Sequence, residues 1–123
     1  MANDKKTLIL GATTNTGRYA FRAAQMLTER GHTIVPVGIK KGEVFGKQIS
    51  QDKEVIHESV HTVTLYVGPQ NQPEWYDYIL KQAPKRIVFN PGTENIELMR
   101  LAEEKGIEVV EGCTLVMLSI GNY

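Results

Sequence analysis

LILGATTNTGRYA, residues 8–20, decides how the rest of the chain is read. With Thr7 in front, its opening residues make a short apolar run of the kind that forms a strand buried on both faces, Thr7 to Leu10. Gly11 ends the run. Beyond it, Gly17, Ala20, Phe21, Ala24 and Leu27 recur at helical spacing. A strand, a glycine turn and a helix in that order aim the helix's positive end and its free N–H groups at the turn, which favours an anion there. Gly11 permits a tight turn and a close backbone approach. Ala12 keeps the turn small, and Thr13, Thr14, Asn15 and Thr16 bring hydroxyl, amide and backbone donors. Gly17 lets the helix pack closely on the strand, and Arg18 adds a cation in its first turn. The corner therefore reads as a seat for phosphate or pyrophosphate.

The better-known phosphate loops do not fit. A P-loop needs Gly, four residues and then Gly-Lys-Ser/Thr. Here Gly17 is followed by Arg18-Tyr19, and the spacing from Gly11 is one residue too long. A dinucleotide turn of the form Gly-Ala-Thr-Gly-x-x-Gly is closer. This chain has Thr14 where that turn has its central glycine, so a side chain would crowd a pyrophosphate lying against it.

Outward from this corner, strand and helix alternate. Gly31, after Glu29-Arg30, is a helix stop. Thr33 to Val37 reads as a second buried strand. Gly38 to Glu58 carries glycines and charges and reads as a long loop with a short strand near Val44 to Ile49. His61 to Val67 is a third strand. Pro73-Glu74 opens a helix, with Trp75, Tyr78 and Ile79 on its inner face and Tyr76 exposed, available for an oligomer contact. Arg86 to Phe89 is a fourth strand, Asn90-Pro91-Gly92 a turn and Thr93 an N-cap. Leu98, Leu101 and Ala102 mark the next helix, stopped at Lys105-Gly106. Ile107 to Val110 is a fifth strand, and Leu115 to Ile120 a terminal helix packed on the sheet.

Five strands alternating with helices require parallel pairing and right-handed crossovers. The expected fold is α/β: one Rossmann-like doubly wound parallel sheet of about five strands in a three-layer sandwich, a single domain over residues 1–123. Ligands of such sheets sit at the carboxyl ends of the strands, where the strand order reverses. The loop after the second strand, Gly38-Ile39-Lys40-Lys41-Gly42, has no acidic residue for a ribose diol; its lysines suit a phosphate on or near the ribose.

Acidic and basic residues balance at 14 each, so no overall field favours nucleic acid or an anionic membrane. The longest apolar runs, such as Thr62 to Val67, are too short to span a bilayer, and the polar start has no signal-peptide core. The one cysteine, Cys113, rules out an internal disulfide. The expectation is a soluble, cytoplasmic protein with a small-molecule nucleotide ligand.

Several stretches together carry a resemblance. Gly11-Ala12-Thr13, the helix ending Glu29-Arg30-Gly31-His32, then Ile34-Val35-Pro36-Val37 and Gly46, form the first half. Asn90-Pro91-Gly92-Thr93-Glu94-Asn95, Glu104 to Val110 and Cys113 form the second. In this order and spacing they resemble the small CoA-binding domain family, itself similar to the amino-terminal domain of the succinyl-CoA synthetase alpha chain. The resemblance covers nearly the whole chain. It implies a Rossmann-like fold with CoA, or an acyl-CoA, at the strand ends. Gly11, Ala12, Thr13, Thr14 and Asn15 would line the diphosphate, with Arg18 as a supporting cation. Lys40 would meet the ribose phosphate or adenine end, Val67, Pro69 and Asn71 would pack around the nucleotide, and Pro91 and Gly92 belong to the family's Pro-Gly segment. Where the family often reads Pro-Val-Asn-Pro-Lys, this chain reads Pro36-Val37-Gly38-Ile39-Lys40.

No catalytic set is apparent. His32, His57 and His61 fall outside the site loops and read as solvent-facing. The phosphorylated histidine of the synthetases belongs to a separate following domain. Cys113, at the end of the fifth strand, reads as a small buried apolar residue; a thiol there would also suit the pantetheine end. No Cys/His cluster has metal spacing, and no Ser/His/Asp set stands out. The reading is a stand-alone, non-catalytic CoA-binding module, as a homo-oligomer or with a protein partner. The alternative is an NADP-binding oxidoreductase-like protein, which the partial Gly-Ala-Thr turn supports and the missing Tyr-x-x-x-Lys pair opposes. A scaffold that has lost its ligand is a third possibility.

Overall fold

The computed structural model describes residues 3–123. Its elements are β1 (Thr7–Leu10), α1 (Tyr19–Glu29), β2 (Ile34–Val37), β3 (Glu43–Val44), β4 (Lys47–Gln48), β5 (Thr62–Leu65), α2 (Tyr76–Lys81), β6 (Arg86–Phe89), α3 (Ile96–Glu104), β7 (Glu108–Glu111) and α4 (Thr114–Ser119). Short 3₁₀ turns at Pro69–Asn71 and Pro73–Trp75 precede α2.

The main sheet is parallel, in the order β2-β1-β5-β6-β7. The chain winds outward from β1 to β2, then returns to build the other half from β5 to β7. The order therefore reverses between β1 and β5, and a crevice opens at the carboxyl ends of those two strands. The pleat sorts β1 between two cores. Leu8 and Leu10 join Val63, Leu65, Tyr78, Ile87, Phe89, Leu98 and Ala102 under α2 and α3. Ile9 joins Ala20, Ala24, Leu27, Ile34 and Leu118 under α1 and α4. Both faces of β1 are dry, which is why its sequence runs apolar without alternation.

The sheet's edges are protected differently. On β7, Glu108 and Glu111 are exposed at the two ends of the strand, and charge there discourages pairing with another chain. On β2, Pro36 has no N–H to offer, as edge strands tolerate. Its carbonyl instead accepts the Ser50 amide at 2.9 Å, so the returning loop covers that edge.

Several sequence expectations need correction. The single strand expected near Val44 to Ile49 is a hairpin, β3 against β4. Its two-residue turn, Phe45-Gly46, has both φ angles positive, at 49° and 83°, which matches the twist of the flanking strands. Phe45 is held in that unusual conformation with its ring 5.2 Å from that of Phe21 on α1. Thr93 is not the N-cap of α3: it is buried and its hydroxyl donates to the Asn90 carbonyl at 2.8 Å. Asn95 caps instead, its carboxamide oxygen accepting from the Leu98 amide. The Pro73-Glu74 helix starts as a 3₁₀ turn, and Tyr76 is half-buried, donating to Glu97 at 2.9 Å. The histidines are half-buried too. His32 accepts from the Lys5 amide, His57 Nε2 lies 2.9 Å from the Tyr78 hydroxyl, and His61 Nδ1 lies 2.8 Å from that of Thr62.

Candidate functional site

The crevice at the switch point is a cleft of about 770 Å³. One wall is the loop after β1 with the start of α1, a second is the loop after β2, and a third comes from the loops after β5 and β6. Of the residues expected there, Gly11, Ala12, Thr13, Thr14, Arg18, Lys40, Val67, Asn71, Pro91 and Gly92 line it; Asn15 and Pro69 do not.

Gly11 sets the geometry. Its φ is +100°, and a Cβ there would stand 3.0 Å from the carbonyl oxygen of Tyr66 at the end of β5. Only glycine lets the two central strands end this close together. The loop then folds on itself: the Asn15 amide donates to Thr13 Oγ1 at 3.1 Å, and the Gly17 amide to Asn15 Oδ1 at 3.0 Å. Asn15 is thus a turn-forming residue whose carboxamide oxygen is already engaged. Arg18 precedes α1 in an extended conformation and gives it no side-chain cap. Phe21 and Arg22 donate to the Arg18 carbonyl, whereas the amides of Tyr19 and Ala20 have no acceptor within the helix; both residues line the cleft, at the helix's positive end.

Thr14 stands where dinucleotide loops have glycine, and its side chain turns toward the loop after β2. A Cβ at Gly42 would lie 2.5 Å from the Thr14 methyl. Nearer the floor, a Cβ at Gly38 would lie 2.7 Å from the Ala12 carbonyl oxygen. The glycine at 38, where the resembling family often has asparagine, is therefore a packing requirement between two loops. Lys40 and Lys41 extend from this wall and are exposed. Among the described residues, none of Arg18, Lys40 and Lys41 is in an ion pair.

The third wall is held by buried amides. Asn90 Nδ2 donates to Thr64 Oγ1 and to the Leu65 carbonyl, each at 2.7 Å, and Asn90 Oδ1 accepts the Thr114 amide at 2.8 Å. Gln72 is fully buried; its Nε2 donates to the Val67 and Thr93 carbonyls at 2.9 and 2.8 Å, tying the β5 and β6 loops together. A buried, satisfied network of this kind rigidifies what it joins. The Tyr66 hydroxyl lies beneath, buried and with no hydrogen-bond partner among the described residues, and its burial pushes the phenol pKa up.

Sequence reasoning placed Ile39 in the loop after β2 without giving it a role, and missed Tyr19, Ile49, Tyr66, Glu74 and Trp75, all of which line the cleft. Tyr19 and Ile39 had a signal, since each adjoins an expected cation. Glu74 and Trp75 lie well past β5 and return only through the 3₁₀ turns. Glu74 pairs with Lys53 at 2.6 Å, and the Lys53 ammonium stands 4.5 Å from the Trp75 ring centre. The histidines and Cys113 are not in the lining. Among the described residues no cluster of His, Cys, Asp or Glu could hold a metal, and no helix is long and apolar enough to cross a membrane.

Comparison with known proteins agrees with this architecture. A family profile described as "CoA binding domain" matches residues 5–119, and the chain belongs to that family. No curated protein matches the chain. A crystal structure described as an uncharacterized protein is 58% identical, with 98% of each chain covered and a TM-score of 0.95. A hypothetical protein from Pyrococcus horikoshii OT3 is 27% identical over 97% of this chain and 84% of its own, with a TM-score of 0.87. A Thermus thermophilus protein at 22% identity, with a TM-score of 0.87, shares the fold over 99% of this chain and 92% of its own.

Proposed function

We propose that this member of the CoA-binding domain family is a cytoplasmic module that holds CoA or an acyl-CoA and presents it without altering it. The observation that carries the reading is the convergence of Gly11, the uncapped start of α1 and three cations without ion pairs on one cleft at the switch point. Among these groups, charge is compensated only when an anion arrives.

In this reading the amides of Thr13, Thr14, Tyr19 and Ala20 bind the diphosphate, while that of Ala12 stays on the Val37 carbonyl. Arg18 screens its charge, Lys40 and Lys41 take the phosphate on the ribose, and Val67 and Asn71 flank the nucleotide. The Pro91-Gly92 turn lies along the remaining arm. When bound, CoA supplies a thiol able to carry an acyl group. In this reading the chain's own residues bind and orient, and the Glu74 carboxylate in the lining is held by Lys53 at 2.6 Å. The manner of holding would be that of the succinyl-CoA synthetase amino-terminal domain, with a second copy or a different protein as recipient.

The test is calorimetric titration of the intact protein with CoA, dephospho-CoA and NADP. The reading predicts CoA tightest, dephospho-CoA weaker by the loss of one charge-assisted contact, about tenfold or more, and NADP weaker than CoA because its ribose phosphate is on the 2′ rather than the 3′ oxygen. Equal or absent binding of all three would refute it, and NADPH turnover would favour the oxidoreductase reading. Trp75, the one tryptophan, lines the cleft and offers a fluorescence check.

A further inference from the structure

The large apolar side chains with the greatest exposure among the described residues are Tyr19 and Ile39, each 74% exposed, and both line the cleft. A single exposed apolar side chain on a surface is ordinary. Two in the lining of one cleft, on the walls built by the loops after β1 and β2, are not scattered. Each also adjoins a cation: Arg18-Tyr19 on the α1 side, Ile39-Lys40 on the β2 side. Each rim thus offers one charge for a phosphate and one apolar surface for whatever the phosphate is attached to.

Trp75, the other large apolar group on the wall, is not free to serve. It is 3% exposed, its ring carries the Lys53 ammonium, and Tyr78 packs edge-on against it at 5.5 Å. Beside the partly buried Val67, the apolar cover for a ligand comes from the rims.

We infer that Tyr19 and Ile39 are specificity-determining residues, two apolar jaws that close on the parts of the ligand which carry no charge. The inference rests on the CoA reading and deepens it. Ile39 follows Lys40's phosphate to the ribose that bears it, and so packs on the purine. Tyr19 stands beside Arg18 at the diphosphate, from which the other direction is the methyl-bearing pantetheine arm, and its ring covers that arm. The cleft then selects an amphipathic phosphate ester. Inorganic pyrophosphate would satisfy the cations and leave both jaws in water, so it binds weakly.

The experiment titrates the full chain and its Tyr19→Ala, Tyr19→Phe and Ile39→Ala variants with CoA, adenosine 3′,5′-bisphosphate and 4′-phosphopantetheine. Both side chains are exposed, so the variants should melt with the wild type. Tyr19→Ala is expected to weaken CoA and phosphopantetheine about tenfold, as removal of a covered ring should, and to leave the bisphosphate within about twofold. Tyr19→Phe keeps the wild-type affinities. Ile39→Ala does the converse, weakening CoA and the bisphosphate by about threefold to tenfold and sparing phosphopantetheine. If the wild type binds CoA but the alanine variants match it, or weaken both fragments alike, the jaws are refuted and the CoA reading stands. If the wild type binds none of the three, the CoA reading falls and takes the jaws with it.

Discussion

Both ends of the sheet carry cations, and the two ends treat them differently. At the amino end, Arg86 is buried; its Nε donates to Thr62 Oγ1 at 2.7 Å, and its guanidinium lies 4.3 Å from the Tyr123 ring centre. Lys5 donates to the Tyr123 carbonyl at 2.6 Å, and the Tyr123 hydroxyl bonds to Thr7. At the carboxyl end, Arg18, Lys40 and Lys41 are exposed around an open cleft. A cation tied into the chain contributes to folding, whereas one left in water at a concave site is available to a ligand. Mutations at the two ends should therefore separate stability from binding.

The largest expected effect blurs that separation on purpose. Asn90→Ala removes the carboxamide that joins β5, β6 and the start of α4, and strands several buried polar groups. It should cost about 3–5 kcal/mol in a denaturant melt, with loss of CoA binding at temperatures where the fold has loosened. Arg86→Met comes next. It should cost about 2–4 kcal/mol of stability, from a charged hydrogen bond and an aromatic contact, and leave CoA affinity unchanged at temperatures below the transition. Arg18→Ala and Lys40→Ala should do the reverse: each weakens CoA by about 1–3 kcal/mol, read by titration, with the melt unmoved. Stability loss at Arg18 matching that at Arg86 would break the contrast.

The amino end also tells against its neighbours' protonation. Burial first, then the charges of Arg86, Lys5 and Lys85, hold the His61 imidazole below its usual value. His32 is lowered by burial, with Lys5, Arg86 and Arg30 adding to it against Asp4, and His57 by burial and Lys6. A lowered histidine means that the unfolded chain binds protons more readily than the folded one. Stability should hold above the ordinary value of 6.5 and fall as pH drops from there through the lowered folded values. Thermal melts at stepped pH check this, and His61→Asn should flatten the slope. This is the smallest effect, because each group is only partly buried.

Sequence reading did best where one force decides. β6 falls at Arg86–Phe89 as expected, because an apolar run between turn residues has few alternatives. The order of strand and helix, and with it the switch point, follows from the same periodicity. It did worst where distant partners decide. Thr93 has the chemistry of an N-cap, but the Asn90 carbonyl takes its hydroxyl and moves the cap to Asn95. The β3–β4 strands have two residues each, too few for a period, and phenylalanine hides the turn between them. Asn15 also has a local task that its sequence does not show, its carboxamide oxygen taking the Gly17 amide. Gln72, Glu74 and Trp75 belong to the cleft's frame or wall only because the 3₁₀ turns carry the chain back, which no local pattern encodes.

The central claim is that the corner between β1 and α1 seats a diphosphate. Amide-resolved NMR of the ¹⁵N-labelled protein titrated with CoA tests it most directly. The expected result is saturable shifts largest at Gly11 to Thr14 and at Tyr19, with a second group at Gly38 to Lys41 and little change around Arg86 and Tyr123. Shifts that skip Gly11 to Tyr19, or that centre on the amino end of the sheet, would contradict it.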